Sequence, residues 1–215
     1  MMRVLVVDDE RLARKELRRL LAGHQHFEIV GEAANVAEGI AQAASLAPDL
    51  LLLNMQMPGG TGFDVLEALD EVPEVIFTTG HGPCPADYLL KPIHPLRLAA
   101  ALQRAAVRVG FGSKPRKLFI REGERCWFVR LADIRLFVAE GASTRAYFDG
   151  GSPLLTRSLQ QLEKMLDPQQ FFRASGRHLV NLADVDRIMQ TAGGALALDV
   201  AGVAVEIKDT AHHPI

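Results

Sequence analysis

Residues 50–60 read LLLLNMQMPGG. The four consecutive leucines after Asp49 predict a strand that is buried on both faces, as is typical of the centre of a parallel sheet. The hydrophobic run ends at Asn54, and the Pro-Gly-Gly sequence that follows turns the chain away from the sheet. Open α/β sheets bind their ligands at the carboxyl ends of such strands, so we interpret Asn54 as a site position rather than as a strand cap.

Length and composition favour two domains. The chain has 215 residues, 48% of them hydrophobic, which is enough to fill two cores. A formal net charge of −2 and a pI near 6.4 give no overall attraction to nucleic acids or membranes. The charge is uneven, because residues 1–112 contain 10 Lys and Arg against 14 Asp and Glu, whereas residues 113–215 contain 14 against 12.

The cysteines and the hydrophobic runs predict a location. Cys84 and Cys126 lie in different halves of the chain, which favours reduced thiols over a disulfide. No hydrophobic run approaches the roughly 18 residues of a membrane span, and residues 1–20 carry charges throughout, unlike a signal peptide. We therefore expect a cytoplasmic protein with no membrane partner.

The first half of the chain alternates strand and helix signals. The predicted strands are residues 3–7, 27–32, 49–54, 75–79 and 87–90. The predicted helices are residues 12–21, with a hydrophobic stripe that begins at Leu12, 36–46 after a cap at Asn35, 63–69 and 96–107. Five strands with interleaved helices predict a doubly wound five-stranded parallel sheet.

Polar side chains follow four of these strands. Asp8 and Asp9 follow the first strand, Asn54 the third, Thr79 the fourth and Lys91 the fifth. In a doubly wound sheet these strand ends form one rim. Two carboxylates suit a divalent cation with oxygen ligands, while a hydroxyl and an ammonium group suit the oxygens of a phosphoryl group.

Four motifs in order, VVDDE, the strand ending at Asn54 before MQMPGG, FTTG and YLLKP, resemble the receiver domain of bacterial response regulators. The resemblance covers residues 1 to about 108. It implies the following roles: magnesium-binding acids at Asp8 and Asp9, the switch hydroxyl at Thr79, the switch aromatic at Tyr88, and the invariant lysine at Lys91.

Two departures from the receiver pattern predict a degenerate receiver. The phosphoacceptor position falls on Asn54, whose carboxamide is a poor nucleophile and adds no charge to a metal site. We therefore expect no phosphotransfer, no required cofactor and at most weak Mg²⁺ binding. Residues 80–87, GHGPCPAD, leave too little room for the fourth receiver helix, which is predicted to be shortened or absent.

A composition shift predicts three segments: a receiver-like domain at 1–109, a linker at 110–116 and a β-rich domain at 117–215. Helical periodicity ends after the linker, apart from one predicted helix at 158–166. The predicted strands of this domain are residues 118–121, 125–129, 134–140, 145–148, 178–181, 185–189, 195–199 and 203–207.

The segments IRLFVAEGASTRAYF, LLTRSLQQLEKMLDP and FFRASGRHLVNLADVDRI resemble the LytTR family of bacterial DNA-binding domains. The resemblance implies a β-rich fold that places loops of one edge into successive major grooves of tandem promoter repeats. The net charge of residues 113–187, with 13 Lys and Arg against 9 Asp and Glu, suits such a surface. The expected DNA-binding residues are Thr144, Arg145, Arg173, Arg177, His178, Asn181 and Lys208.

Three classes of function remain open. A LytTR-type transcriptional regulator, acting without phosphorylation as a homodimer or a heterodimer with another response regulator, accounts for both domains. A protein-interaction module that pairs with or sequesters another regulator is the alternative, since the chain is acidic near Asp209 where relatives are basic. An aspartyl phosphatase is least favoured, because that chemistry needs two acids separated by a spacer, and Asp8 and Asp9 are adjacent.

Overall fold

The computed structural model describes residues 1–80, 88–109, 116–191 and 193–208. Contacts between residues divide the chain into two units, Met1–Phe119 and Ile120–Ile215. The predicted linker lies almost entirely outside the described residues, so the domain boundaries stay a prediction. No helix within the described ranges is long and apolar enough to cross a membrane.

The first unit is a five-stranded parallel sheet with helices between its strands. Its elements are β1 (Met2–Val7), α1 (Arg11–Leu21), β2 (Phe27–Ala33), α2 (Val36–Leu46), β3 (Leu50–Asn54), β4 (Gln56–Met57), β5 (Gly60–Thr61), α3 (Gly62–Ala68), β6 (Glu74–Thr79), β7 (Tyr88–Leu90) and α4 (Pro95–Val109). The sheet order is β2-β1-β3-β6-β7, and β4 and β5 form a separate short antiparallel pair. The predicted doubly wound sheet is confirmed.

The leucine-rich strand β3 lies at the centre of this sheet. All five of its residues are buried, and it pairs in parallel with β1 on one side and β6 on the other. Leu50 and Leu52 face a core that also contains buried side chains of α1 and α4. The strand must be hydrophobic throughout because helices cover both faces of the sheet.

Short polar side chains set two of the helix starts. Asn35 precedes α2, and its side chain accepts a hydrogen bond of 2.9 Å from the Glu38 N–H, as predicted for a cap. At α3, Thr61 and Asp64 form a capping box, in which the Asp64 carboxylate accepts from the Thr61 N–H at 2.6 Å.

The predicted stripe of α1 is wrong at its first residue. Leu17, Leu20 and Leu21 are buried, but Leu12 is 75% exposed. At about 100° per residue, Leu12 points roughly 140° away from Leu17, so it cannot face the same core. The predicted loss of the fourth helix falls on residues 80–87, nearly all outside the described residues, and stays a prediction.

The second unit is β-rich, as predicted. Its elements are β8 (Lys117–Glu122), within which the division between the units falls, β9 (Arg125–Arg130), β10 (Leu136–Glu140), β11 (Ser143–Tyr147), β12 (Leu154–Leu155), α5 (Leu159–Met165), β13 (Phe171–Ser175), β14 (His178–Asn181), β15 (Val185–Gln190), β16 (Leu196–Val200) and β17 (Val203–Glu206). A five-stranded antiparallel sheet has the order β12-β11-β10-β14-β13, a three-stranded one the order β15-β16-β17, and β8 pairs with β9.

The five-stranded and three-stranded sheets share one core. Leu136 and Val180 from the first pack with Leu198 and Val205 from the second. The strand β13 was not predicted, because the irregular pairing between Arg173 and Ser175 breaks the alternation of buried and exposed residues that marks a strand.

Candidate functional site

The rim of the first unit brings an acidic group and a lysine together. Asp8 is fully buried at the end of β1, and the Lys91 Nζ lies 2.9 Å from its Oδ2. The same ammonium group lies 2.7 Å from the Glu10 Oε1. The backbone N–H of Lys91 donates to the Thr79 carbonyl at 2.8 Å, which fixes the lysine at the end of β6.

The charge state of Lys91 follows from these contacts. Partial burial is the largest single influence and lowers the pKa of Lys91, but hydrogen bonds to Glu10 and Asp8 and their negative charges together outweigh it. The pKa of Lys91 is therefore raised above its usual value of 10.5. The ammonium group therefore stays charged at neutral pH, and it pairs with the carboxylates of Asp8 and Glu10.

Asn54 contacts Asp9, the second acid of the pair. Its carboxamide nitrogen donates to the Asp9 Oδ1 at 2.8 Å and to the Gln56 carbonyl at 2.6 Å. The residue is buried at the end of β3. The amide therefore makes contacts that a carboxylate at this position could make only if it were protonated, because an ionised carboxylate has no donor.

The remaining receiver positions border this pocket. Thr79 is buried in the last position of β6, and Tyr88 is half-buried at the start of β7, where it pairs in register with Phe77. The Thr78 hydroxyl lies 3.5 Å from the Asp8 Oδ2. The structure thus brings Asp8, Asp9, Asn54 and Lys91 into contact and places Thr79 and Tyr88 on the neighbouring strands.

The pocket fits a divalent cation only in part. Asp8, Asp9 and the Asn54 amide oxygen are oxygen ligands of the kind that Mg²⁺ prefers. However, Asp8 is paired with Lys91 and Asp9 accepts from Asn54. Among the residues that the structure describes, no group of three or more His, Cys, Asp or Glu side chains is arranged to hold a metal ion.

Three segments of the second unit meet at one end of its five-stranded sheet. The β10–β11 turn and the β13–β14 turn are joined by the Ala139 N–H, which donates to the Arg177 carbonyl at 2.8 Å. The segment after β17 reaches the same end, since the Lys208 N–H donates to the Ala174 carbonyl at 2.9 Å. We call this end, formed by residues 140–145, 175–178 and 208, the turn edge.

Two of the predicted DNA contacts are not supported by the structure. Thr144 is fully buried within β11, and its hydroxyl has no hydrogen-bond partner. Asn181 is also fully buried, and its side chain donates to the Ile134 carbonyl at 3.0 Å and accepts from the Ala183 N–H at 3.1 Å. A buried side chain cannot reach a base, so both residues serve the fold.

Two predicted basic contacts are already engaged within the unit. Arg145 binds both oxygens of Glu140, at 2.7 and 2.9 Å, and its Nη1 donates to the Ser152 carbonyl at 2.6 Å. Arg173 donates to the carbonyls of Ser175 and Gly176, at 2.7 and 3.0 Å, and so holds the β13–β14 turn. Both guanidinium groups therefore act first as structural anchors.

The outward cations of the turn edge are Arg177 and Lys208. Arg177 is exposed at the β13–β14 turn, and the Lys208 side chain is 72% exposed, with its Nζ 3.7 Å from Glu206. His178 is half-buried, and its Nδ1 lies 2.9 Å from the Ser175 hydroxyl. Burial, and next the Arg177 charge, lower the pKa of His178 below 6.5, which favours the neutral imidazole.

Comparison with known proteins agrees with this geometry. The sequence profile of the response regulator receiver domain matches residues 4–103, and that of the LytTr DNA-binding domain matches residues 124–207. The chain thus carries a response regulator receiver domain followed by a LytTr DNA-binding domain. The receiver and LytTR resemblances of the sequence motifs are thereby confirmed, and the degenerate state of the receiver stays a prediction.

Known proteins match the chain to different extents. The transcriptional regulatory protein BtsR of Salmonella typhi is 43% identical over 114 residues, which is 48% of either chain, so the chain matches about half the length of this relative. The sensory transduction protein LytT of Enterococcus faecalis is 28% identical over 207 residues, 87% of this chain and 86% of that one. A solved LytTr DNA-binding domain from Bacillus cereus covers 42% of this chain with a TM-score of 0.40 and 17% identity.

Sequence reasoning missed three residues of the two candidate sites. Glu10 binds Lys91, and Glu140 binds Arg145. The Arg14 Nη1 donates to the Asp8 carbonyl at 2.6 Å and to the Asp9 carbonyl at 3.2 Å. These bonds hold the main chain of the acidic turn. The acidic run Asp8-Asp9-Glu10 could have indicated Glu10. The contacts of Arg14 with the acidic turn and of Arg145 with Glu140 depend on turn geometry, which the sequence does not show.

Proposed function

We propose that the chain is a DNA-binding transcriptional regulator of the two-component type whose output does not depend on phosphorylation of residue 54. The observation that carries the proposal is Asn54, buried at the acceptor position with its amide nitrogen on Asp9. The lone pair of an amide nitrogen is delocalised onto the carbonyl group, so a carboxamide is a poor nucleophile towards phosphorus. Phosphoryl transfer to this position therefore lacks a nucleophile.

The state of Lys91 supports the same proposal. In a pocket that receives a phosphoryl group, a free ammonium group can bind its oxygens. Here the ammonium group is held by Asp8 and Glu10, 2.9 and 2.7 Å away. Lys91 is thus paired without an added anion, which suits a receiver that keeps one conformation.

Mg²⁺ is an optional ligand in this proposal. Asp8 and Asp9 would hold it, with the neutral Asn54 oxygen in place of a third charge, and the bound ion would supply positive charge to the rim. Because two carboxylates attract a divalent cation less strongly than three, we expect weak binding. We propose that no cofactor is required and that the chain has no enzymatic activity.

The proposed DNA contact is made by the turn edge. Arg177 and Lys208 are its exposed cations, and the main chain of Lys208 is held at this edge by the Ala174 carbonyl. Positive side chains on one edge gain affinity for DNA phosphates by releasing counterions. We propose tandem promoter repeats as the target, a homodimer or a heterodimer with another response regulator as the bound form, and the cytoplasm as the location.

A direct test measures DNA binding and phosphorylation in the same preparation. Fluorescence anisotropy of a tandem-repeat promoter fragment should report specific binding that acetyl phosphate with Mg²⁺ leaves unchanged. A scrambled fragment of the same length is the control. Binding that appears only after acetyl phosphate treatment would contradict the phosphorylation-independent output.

One observation favours the alternative, a protein-interaction module that pairs with or sequesters another regulator. Arg145 and Arg173 are bound to Glu140 and Glu163, so the turn edge offers fewer outward cations than the sequence suggests. Asp209, which also supported this alternative, lies outside the described residues. Equal, weak binding to the promoter and scrambled fragments at low salt would favour the interaction module.

A further inference from the structure

Glu140 occupies an unusual position for an acidic residue on a proposed DNA-binding edge. It is the last residue of β10, directly before the turn at Gly141, whose φ is 64°. It pairs in register with Ser143 across the hairpin. The residue is therefore presented at the tip of a two-residue turn, in the first of the three segments that form the turn edge.

The Glu140–Arg145 pair has an outer and an inner member. The Glu140 side chain is 39% exposed and the Arg145 side chain 26%. The inner face of Arg145 is fixed by the Ser152 carbonyl, which accepts from Nη1 at 2.6 Å. A partner that approaches the turn edge would meet the carboxylate before the guanidinium group.

Arg145 holds the carboxylate in one orientation. The Nε donates to Oε1 at 2.7 Å and the Nη2 donates to Oε2 at 2.9 Å, so the two planar groups are joined by a fork of two bonds. Each carboxylate oxygen has a second lone pair, which remains able to accept a hydrogen bond. The bond to Arg145 lowers the pKa of Glu140, against the opposite effect of burial, and the charges of Arg145 and Arg177 add to the lowering.

Arg145 itself is poorly suited to attract DNA. A second carboxylate, Glu122, lies 3.9 Å from its Nη1, so two negative groups surround one guanidinium group. Its three donor nitrogens already have acceptors in Glu140 and Ser152. The positive charge that offsets repulsion between Glu140 and the phosphates comes instead from exposed Arg177.

We infer that Glu140 is a specificity-determining residue that accepts a hydrogen bond from the exocyclic amino group of a cytosine in the major groove, with Arg145 as its positioning residue. A fixed, ionised carboxylate is the side-chain group that matches the cytosine N4 donor. The inference rests on the proposed DNA binding of the turn edge. It replaces Arg145 by Glu140 as the group that reads a base.

The experiment selects binding sites from a random double-stranded DNA library. The full chain, Glu140→Gln, Arg145→Lys and a control, Asp133→Asn, are compared. Asp133 precedes β10 at the end opposite Glu140 and is bonded to Arg130, so the control removes one paired charge away from the turn edge. Thermal unfolding of each variant checks that the fold is retained.

The expected result is position-specific. The unchanged chain should enrich cytosine at one position of each repeat, and Glu140→Gln should lose that enrichment while the other positions stay the same. Binding of the variant to the original site should weaken roughly tenfold. Arg145→Lys keeps the charge but loses the fork, so it should relax discrimination at the same position, and Asp133→Asn should leave the selected sequence unchanged.

Other outcomes separate the inference from the function it rests on. If Glu140→Gln selects the same sequence and binds every fragment more tightly, Glu140 only repels phosphates and the inference is wrong, while DNA binding stands. The inference is equally wrong if Glu140→Gln changes neither the sequence nor the affinity. If the unchanged chain enriches no sequence, the proposed regulator function fails as well.

Discussion

The carboxamide nitrogen of Asn54 donates a 2.8 Å hydrogen bond to the carboxylate of Asp9. This bond joins the end of the central strand to the acidic turn after β1. A deprotonated aspartate at position 54 could not make it and would instead repel Asp9. The amide thus joins the end of β3 to the acidic turn through a bond that an ionised aspartate at position 54 could not form.

The first prediction concerns phosphorylation. Acetyl phosphate with Mg²⁺ should add no stable phosphoryl group to the purified chain, because position 54 has no carboxylate nucleophile. Intact-mass spectrometry checks this result. A magnesium-dependent gain of one phosphoryl group that maps to the first unit would contradict it. Asn54→Asp is the matched test, since it should gain Mg²⁺ affinity if Asp8 and Asp9 remain in place.

The second prediction concerns the Lys91–Asp8 pair. Lys91→Met should lower the free energy of unfolding by about 3 kcal/mol, because it leaves the fully buried Asp8 carboxylate without its cation. Adding Asp8→Asn to this variant should recover part of the loss. Urea unfolding followed by circular dichroism measures both. Arg19→Met breaks the exposed Arg19–Glu16 pair and serves as the control, because it should change the free energy of unfolding very little.

The third prediction concerns the titration of His178. Burial and the Arg177 charge lower its pKa in the folded chain below 6.5, so the unfolded chain binds this proton more readily. The contribution of His178 to the free energy of unfolding is therefore complete above pH 6.5. It is lost as the pH falls towards the lower pKa that His178 has in the folded chain. In an NMR titration of the histidine ring protons, the resonance that disappears in His178→Asn identifies His178. Its chemical shift should titrate with a midpoint below pH 6.5. A midpoint above that value would contradict the environment described here.

The fourth prediction concerns the charge that attracts DNA. Arg177→Ala should weaken binding to all sequences alike and reduce the salt slope by about one, because we propose that its exposed guanidinium group binds phosphate. Lys208→Ala should act in the same direction. Arg130→Ala, which removes an exposed arginine paired with Asp133, is the control and should leave the salt slope unchanged. Anisotropy titrations at several salt concentrations measure the slope, and equal slopes for Arg177→Ala and the control would contradict a phosphate contact.

The parallel sheet and its rim were predictable because their signals are local. A run of four leucines can be buried on both faces only in a central strand, and polar residues at strand ends meet wherever strands are parallel. Asn54, Asp9 and Lys91 could therefore be grouped before their distances were known. Glu10, the second partner of Lys91, follows Asp8 and Asp9 in the same acidic run, but its contact with Lys91 depends on how the turn after β1 folds.

The turn edge was harder to predict because its contacts depend on hairpin register. Thr144 and Arg145 were both expected to reach DNA, but neighbouring strand residues point to opposite faces, so burial of Thr144 directs Arg145 outward. Its pairing with Glu140 then follows from the tight turn between β10 and β11. Composition counts each arginine as a free cation and cannot show that a neighbouring carboxylate already binds it.

The attachment of the Lys208 segment has a consequence for protein engineering. The bond from the Lys208 N–H to the Ala174 carbonyl uses the main chain alone, so every residue type except proline can form it. The side chain at this position can then be exchanged without releasing the segment from β13. Position 208 is thus a suitable site for a saturation library in which sequence preference is varied on a constant backbone.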